Sequence, residues 1–146
     1  MLLDWFSFDP EAACGGSEAV VLDVPVGIEC REELFRAYHF GLGFPFYFGY
    51  NWDAFWDLMY SREHLEARLI IIRHHDIPML NSIRMCQTYL EILIDLAIDQ
   101  QSSPQNLHSK VTIVFPRFCS EKLEKLPHSQ EWIDKWAWRL SEGVWG

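Results

Sequence analysis

The chain has 146 residues and a formal net charge of −9, from 21 acidic residues against 12 lysines and arginines. Its composition, 49% hydrophobic and 23% charged, is that of an ordinary globular protein of single-domain length, which excludes a disordered chain. The excess of acids argues against direct nucleic-acid binding, which needs a basic surface, and favours a basic partner attracted by complementary charge.

The N-terminal sequence and the cysteines indicate in which cellular compartment the chain is expected. The N-terminus lacks a basic segment followed by an apolar run, and no stretch approaches the roughly 18 uninterrupted apolar residues of a membrane span. We therefore expect a soluble, unexported chain that does not engage a membrane. The four cysteines contain no C-x-x-C pair, so we expect free thiols and no zinc site.

In chain order, the first elements are an arm, a strand and a helix. Residues 1–18 begin with alternating apolar positions and pass into turn-forming residues, which predicts an edge strand or an ordered arm. The β-branched run Ala19–Val24 predicts a strand buried on both faces, as in parallel sheets. Helical spacing follows over residues 29–40, and Gly41 and Gly43 end that helix.

The segment 44–60 crowds aromatic and acidic residues together. Asn51 is a favoured N-cap, so a helix is predicted to begin near Trp52. At about 100° per residue, this helix has two faces. Its apolar face holds Trp52, Phe55 and Met59, with Leu58 at the edge, and its opposite face holds Asp53, Trp56, Asp57 and Tyr60. Charged outer faces are commonly just solvated, but Trp and Tyr beside the acids favour a partner-binding surface.

Two further strands surround a long helix in the second half of the chain. Residues 68–73 and 110–115 are short apolar runs, and residues 82–100 repeat apolar residues at helical spacing, beginning with Ile83. Strands that alternate with helices predict an α/β fold with a parallel sheet. Beyond Pro116, helices are predicted over residues 120–126 and 129–141.

The tryptophans of the last predicted helix have two interpretations. Trp132 and Trp136 repeat at a spacing of four residues, so burial against the domain is the default explanation. The alternative is a groove for a protein partner, which is less favoured because large exposed apolar patches are uncommon on monomers.

Catalytic motifs are missing from the sequence. It contains no phosphate-binding loop, nucleophile elbow, H-E-x-x-H or dinucleotide fingerprint. The enzymatic candidate is His74-His75-Asp76 after the second strand, where ligands of open α/β sheets gather, and a divalent metal is conceivable there. Neighbouring residues at a strand end point in opposite directions, so His74 and His75 are poorly placed to share an ion. We expect no catalytic residue, no metal and no cofactor.

The segment Pro45-Phe-Tyr-Phe-Gly-Tyr-Asn-Trp-Asp-Ala-Phe-Trp-Asp57 resembles the motif Pro-x-Tyr-Tyr-Gly-x-Asn-x-Asp-Ala-x-Trp-Asp of the barstar family of intracellular ribonuclease inhibitors. The matching positions are Pro45, Tyr47, Gly49, Asn51, Asp53, Ala54, Trp56 and Asp57. The order of elements is similar, over about residues 19–115. The resemblance implies a three-stranded parallel sheet flanked by helices. From the length of the chain we expect a single domain, 1–146, in which an N-terminal arm, residues 1–18, and a C-terminal helical extension, residues 116–146, lie outside the resemblance.

The resemblance also implies a mechanism and a set of contacts. In the family, the motif helix and the loop before it enter a ribonuclease active site, where acidic side chains replace RNA phosphates. Carboxylates paired with arginine reproduce the contacts of a phosphate. Tyr47 then stacks or hydrogen-bonds, Asp53 and Asp57 pair with the partner's cations, Trp56 packs between them, and Asp95 lies near a further family acid on the long helix. The predicted partner-binding residues are Tyr47, Asn51, Asp53, Trp56, Asp57, Tyr60 and Asp95.

The sequence departs from the family at two places. Residues 60–62 are Tyr-Ser-Arg where the family has Thr-Gly-Trp, and Tyr50 stands where an acid can occur. The resemblance implies a bacterial immunity protein or antitoxin in the cytoplasm, whose partner is a cognate nuclease, a ribonuclease toxin, and the departures mean that this toxin need not resemble barnase. We expect the chain to be a monomer when free. The alternatives are an adaptor that holds a non-nuclease protein through its aromatic helix or Trp-rich tail, and a small metal-dependent enzyme using His74 and His75.

Overall fold

The structure of the protein, a computed structural model, describes residues 5–8, 19–61, 69–102, 110–128, 130 and 132–134. The strands are β1 (Ala19–Val24), β2 (Leu69–His74) and β3 (Lys110–Val114). The helices are α1 (Arg31–Gly41), α2 (Trp52–Ser61), α3 (Ile83–Ser102) and α4 (Ser120–Lys125), and a 3-10 turn at Arg117–Cys119 precedes α4.

The three strands form one parallel sheet in the order β1-β2-β3. Ile70 of β2 lies opposite Val20 of β1 and Val111 of β3. The predicted α/β class is thereby confirmed, and so is the three-stranded parallel sheet flanked by helices. Element boundaries agree closely, since β1 has the predicted bounds and α1 begins at Arg31 instead of residue 29.

The sheet packs one face against the helices and buries most of it. Ile70 and Ile72 of β2 point into the main core, whereas Ile71 on the opposite face belongs to a smaller apolar cluster with Val114. The prediction that β1 is buried on both faces was wrong at Asp23, whose side chain is 48% exposed. Asp23 stays at the surface because it lies in register with Arg73 of β2, which has the opposite charge.

That cross-strand pair is Asp23 and Arg73. The Arg73 guanidinium donates to both carboxylate oxygens, at 2.6 and 3.0 Å, and His75 Nε2 lies 2.8 Å from Oδ1. The hydrogen bond from Arg73 lowers the pKa of Asp23, with His75 adding to the effect. An exposed polar position on β1 is thus satisfied by β2, as is usual for opposite-charge pairs on neighbouring strands.

The N-terminal arm contacts the free edge of β3. Ser7 forms a parallel bridge with Val114, and its backbone donates to Ile113 O at 2.8 Å and accepts from Phe115 N at 3.0 Å. These bonds satisfy backbone groups at an edge that would otherwise offer them to another chain.

Burial along α3 departs from the prediction at one residue. Cys86, Leu90, Leu93 and Ile94 are buried, but Ile83, where the predicted apolar spacing begins, is 44% exposed because it is the first residue of the helix, one turn before the core contact begins. The described cysteines, Cys30, Cys86 and Cys119, are free thiols. Of the predicted C-terminal helices, the first is α4; in the second, residues 130 and 132–134 are helical, and Trp136 lies outside the described residues.

A chain of hydrogen bonds crosses the core. His74 Nδ1 lies 2.9 Å from Val114 O, which can only accept, so Nδ1 carries the proton. His74 Nε2 then accepts from the Tyr89 hydroxyl at 2.7 Å, and Tyr89 accepts from the Tyr38 hydroxyl at 2.6 Å. The His74 ring also stacks on Phe115, with centroids 3.9 Å apart. Burial lowers the pKa of His74 to about 3, so the ring is neutral.

These contacts explain why His74 and His75 lie apart. Both ring nitrogens of the buried His74 are engaged inside the core, whereas His75 is exposed and contacts Asp23. Among the described residues, no group of three or more histidine, cysteine or acidic side chains is placed to hold a metal ion. His74 is therefore a structural part of the core.

The first prediction concerns the stability of the core against acid. His74 has a pKa of about 3 when folded and 6.5 as its ordinary value, so the unfolded chain takes up the proton first. The neutral ring stabilises the fold above pH 6.5, and stability falls as the pH drops below that value, by about 2 kcal/mol at pH 5. Urea denaturation at pH 7 and pH 5 measures the loss. His74→Gln, which cannot titrate, should lose less stability between these pH values, and equal losses in both proteins would contradict the account.

Candidate partner-binding site

The loop before α2 is fixed by its own polar groups. The Asn51 side chain accepts from the Ala54 backbone N–H at 2.8 Å, which confirms the predicted N-cap. Its amide donates to Gly49 O at 3.3 Å. Tyr50 has a φ of 50°, a strained conformation for a side chain of this size, and its hydroxyl is held by His39 Nδ1 at 3.1 Å. The helix therefore begins at a defined place and angle.

The apolar face of α2 anchors the helix to the core. Phe55 and Met59 are fully buried, and Trp52 and Leu58 are half-buried against the same cluster. Phe35 of α1 contacts two rings of this face, with its ring centroid 4.9 Å from that of Trp52 and 5.4 Å from that of Phe55. Close packing on this side fixes the rotation of the helix about its axis.

The opposite face, which we call the acidic face, consists of Asp53, Trp56, Asp57 and Tyr60. Asp53 and Asp57 are exposed, Trp56 is half-buried and Tyr60 is 43% exposed. The Trp56 and Tyr60 rings lie against each other with centroids 5.2 Å apart. Two carboxylates one helical turn apart, beside a pair of rings, form a surface suited to guanidinium and ammonium groups.

Tyr60 joins the acidic face to α3. Its hydroxyl donates to Asp99 Oδ1 at 2.8 Å. Asp99 was not among the predicted site residues, because the contact joins positions 39 residues apart and no pattern within α3 marks it. The bond fixes the end of the acidic face and places a third acid next to it.

The loop also presents two exposed rings. Phe46 and Tyr47 occupy the centre of a turn closed by a hydrogen bond from Phe48 N to Pro45 O at 3.0 Å, and we call residues 45–48 the aromatic turn. Tyr47 was a predicted contact and is 71% exposed. Phe46, at a variable position of the motif, was not singled out, yet it is 92% exposed.

Asp95 lies away from the surface in this structure. It is 9% exposed and accepts a hydrogen bond from Trp132 Nε1 at 3.2 Å. Two residues shortly before Trp132 also contact α3. Pro127 O accepts from Gln87 at 2.6 Å, two turns before Asp95, and His128 lies 3.7 Å from Glu91, one turn before it. We call Pro127, His128 and Trp132 the Trp132 segment. A partner would reach Asp95 only after the Trp132 segment moved, so its role in binding stays a prediction.

A scan against protein families matches residues 20–112 to the family described as Barstar (barnase inhibitor). The chain belongs to the barstar family. The match covers helices α1 to α3 and strand β2 in full. It also covers β1 and β3 apart from the first residue of β1 and the last two residues of β3. It also contains every predicted partner-binding residue from Tyr47 to Asp95, while the Trp132 segment lies outside it.

Other comparisons add no relative. No curated protein and no solved structure matches the chain. In the part of the chain that the structure describes, no helix is long and apolar enough to cross a membrane. The barstar family is a family of inhibitors, and the described residues of this member present carboxylates and aromatic rings at the site.

The second prediction tests the start of the motif helix. Asn51→Ala removes the acceptor for the Ala54 N–H and should lower the free energy of unfolding by about 1 kcal/mol. Asn51→Asp keeps a capping oxygen and serves as the matched control. Chemical denaturation measures both, and an alanine variant as stable as the aspartate variant would show that the cap contributes nothing.

The third prediction tests the contact that covers Asp95. Trp132→Phe keeps a ring but removes the indole N–H that reaches the carboxylate, so unfolding should become easier by about 1–3 kcal/mol. Ile133→Ala is the control, since Ile133 is exposed on the same segment and surface changes of this kind stay within about 0.5 kcal/mol. Indistinguishable denaturation midpoints for the two variants would contradict the contact.

Proposed function

We propose that this chain is an inhibitor that blocks the active site of a basic ribonuclease with the acidic face of α2. The observation that carries the proposal is the exposure of Asp53 and Asp57 on a helix whose other side is anchored by the fully buried Phe55 and Met59. Membership in a family of barnase inhibitors supports this type of partner.

Electrostatics favours the pairing. A ribonuclease binds phosphates with cationic side chains, which attract a chain of net charge −9 from a distance. On contact, each carboxylate can accept two hydrogen bonds from one guanidinium, as a phosphate does. Residues four apart on a helix have Cβ atoms about 5–6 Å apart, so Asp53 and Asp57 start from neighbouring positions on a fixed helix and little freedom is lost on binding.

The aromatic residues strengthen these ion pairs. Trp56 and Tyr60 lie against each other along the acidic face, and Tyr47 extends from the preceding loop. Rings of this kind exclude water around charged contacts in interfaces, which raises the strength of each pair. Asn51 adds to the site by holding the loop and the helix in one arrangement.

The biological setting is proposed from membership in the barstar family. We propose that the chain acts in the cytoplasm of a bacterium as an immunity protein or antitoxin, monomeric when free, and neutralises one cognate nuclease. Tyr50 and Tyr60 differ from the family pattern and lie in the chain on either side of Asp53 and Asp57, so we propose that they help to set which nuclease is bound.

The fourth prediction removes one carboxylate. Asp57→Ala should weaken binding to the inhibited ribonuclease by about 2 to 5 kcal/mol, mainly through faster dissociation, because the partner's cations lose their counter-charge. That range comes from charge pairs in complexes that include barnase–barstar itself. The control is Glu124→Ala, which changes net charge equally at an exposed position on α4, outside the family match. Surface plasmon resonance measures both variants.

The first enzyme to test in this assay is the product of the neighbouring gene, examined for RNA cleavage with and without the chain. Full affinity of the Asp57→Ala variant, or no inhibition of any ribonuclease tested, would overturn the proposal. A chain that binds some other protein through residues beyond Pro116, with Asp53 and Asp57 dispensable, would be an adaptor instead.

A further inference from the structure

The aromatic turn is built more firmly than an exposed loop requires. Phe44 and Phe48, on either side of its tip, are buried, and their rings meet edge to face with centroids 5.0 Å apart. The Phe44 backbone donates to His39 O at 3.0 Å, and Gly43 supplies a left-handed φ of 64° just before it. Both ends of the turn are therefore fixed to the core, and its tip points outward.

The residues at that tip do not serve the turn itself. The central positions of a β-turn favour Gly, Pro, Asn, Asp or Ser, which supply the needed backbone angles or local hydrogen bonds. Here they are Phe46 and Tyr47, which are 92% and 71% exposed and meet edge to face with centroids 5.8 Å apart. Folding gains little from rings that remain in water. Two adjacent rings, held outward on a fixed support, indicate a contact surface.

The position of the turn identifies what it contacts. The turn comes just before Asn51, the N-cap of α2, so in the chain it directly precedes the end of the helix that carries Asp53. A nucleotide of RNA has the same composition, an anionic phosphate beside a flat ring. A surface that imitates phosphate with carboxylates thus offers aromatic rings where the substrate has its base. RNA-binding proteins commonly stack an unpaired base on aromatic or arginine side chains. Such a stacking site can accept any flat ring.

We propose that Phe46 inserts into the base-binding subsite of the inhibited ribonuclease and is a specificity-determining residue. The inference rests on the proposed function and extends it from the phosphate site to the neighbouring base site. A phenyl ring has no hydrogen-bonding edge, so the subsite is one that holds its base mainly by stacking, against an aromatic ring or an arginine plane.

The test measures affinity and competition together. Phe46→Ala should raise Kd for the inhibited ribonuclease by about tenfold or more, the loss expected for one stacked ring. Phe46→Tyr keeps the ring and should stay within about threefold. Phe118→Ala is the matched control, because Phe118 is 66% exposed but lies beyond the family match.

Two competitors then separate the base site from the phosphate site. A ribonucleoside without phosphate, chosen from those that the enzyme binds, should raise Kd for the wild-type chain but not for Phe46→Ala, which leaves room for the base. Inorganic phosphate should weaken both chains alike, because both retain Asp53 and Asp57.

Each other outcome overturns the inference. Unchanged affinity of Phe46→Ala means that the ring makes no contact, and reduced affinity with full nucleoside competition means that it contacts something other than the base site. If Asp57→Ala also binds normally, or no ribonuclease is inhibited, the proposed function fails as well. A weakened Asp57→Ala beside a normal Phe46→Ala rejects the inference alone.

Discussion

Packing of α2 against Phe35 is the interaction on which the rest of the site depends. Phe35 is fully buried on α1, and its ring meets those of Phe48, Trp52 and Phe55. These three residues come from the loop and from the helix, so one side chain fixes both. With the apolar side of α2 held in place, the helical period places Asp53 and Asp57 outward. The acidic face is thus a consequence of core packing, and its rigidity follows from the density of that core.

The sheet and the long helix supply the platform behind this packing. Tyr38 on α1, Tyr89 on α3 and His74 on β2 form one directional chain of hydrogen bonds that ends on Val114 of β3. Buried polar groups of this kind require fixed positions, because each one loses its partner if an element shifts. The network therefore sets the relative positions of the helices and strands. A histidine that the sequence offered as a metal ligand serves this structural purpose.

Much of this arrangement was predictable from the sequence because it rests on local periodicity. The β-branched runs gave the strands, helical spacing gave the two faces of α2, and Asn51 marked where that helix starts. Contacts between distant positions were not predictable. Tyr60 meets Asp99, and Trp132 covers Asp95, across 39 and 37 residues respectively. The exposure of Asp23 also depends on the register between β1 and β2, which a single strand does not encode.

The central claim is that a ribonuclease covers the acidic face and the aromatic turn together. Hydroxyl-radical footprinting tests it directly, since exposed aromatic side chains oxidise readily and become protected when a partner covers them. In the complex, Phe46, Tyr47, Trp56 and Tyr60 should be protected, while the exposed Phe118 should oxidise as in the free chain. Unchanged oxidation of the first group, with protection confined to Phe118 and the C-terminal segment, would contradict the account.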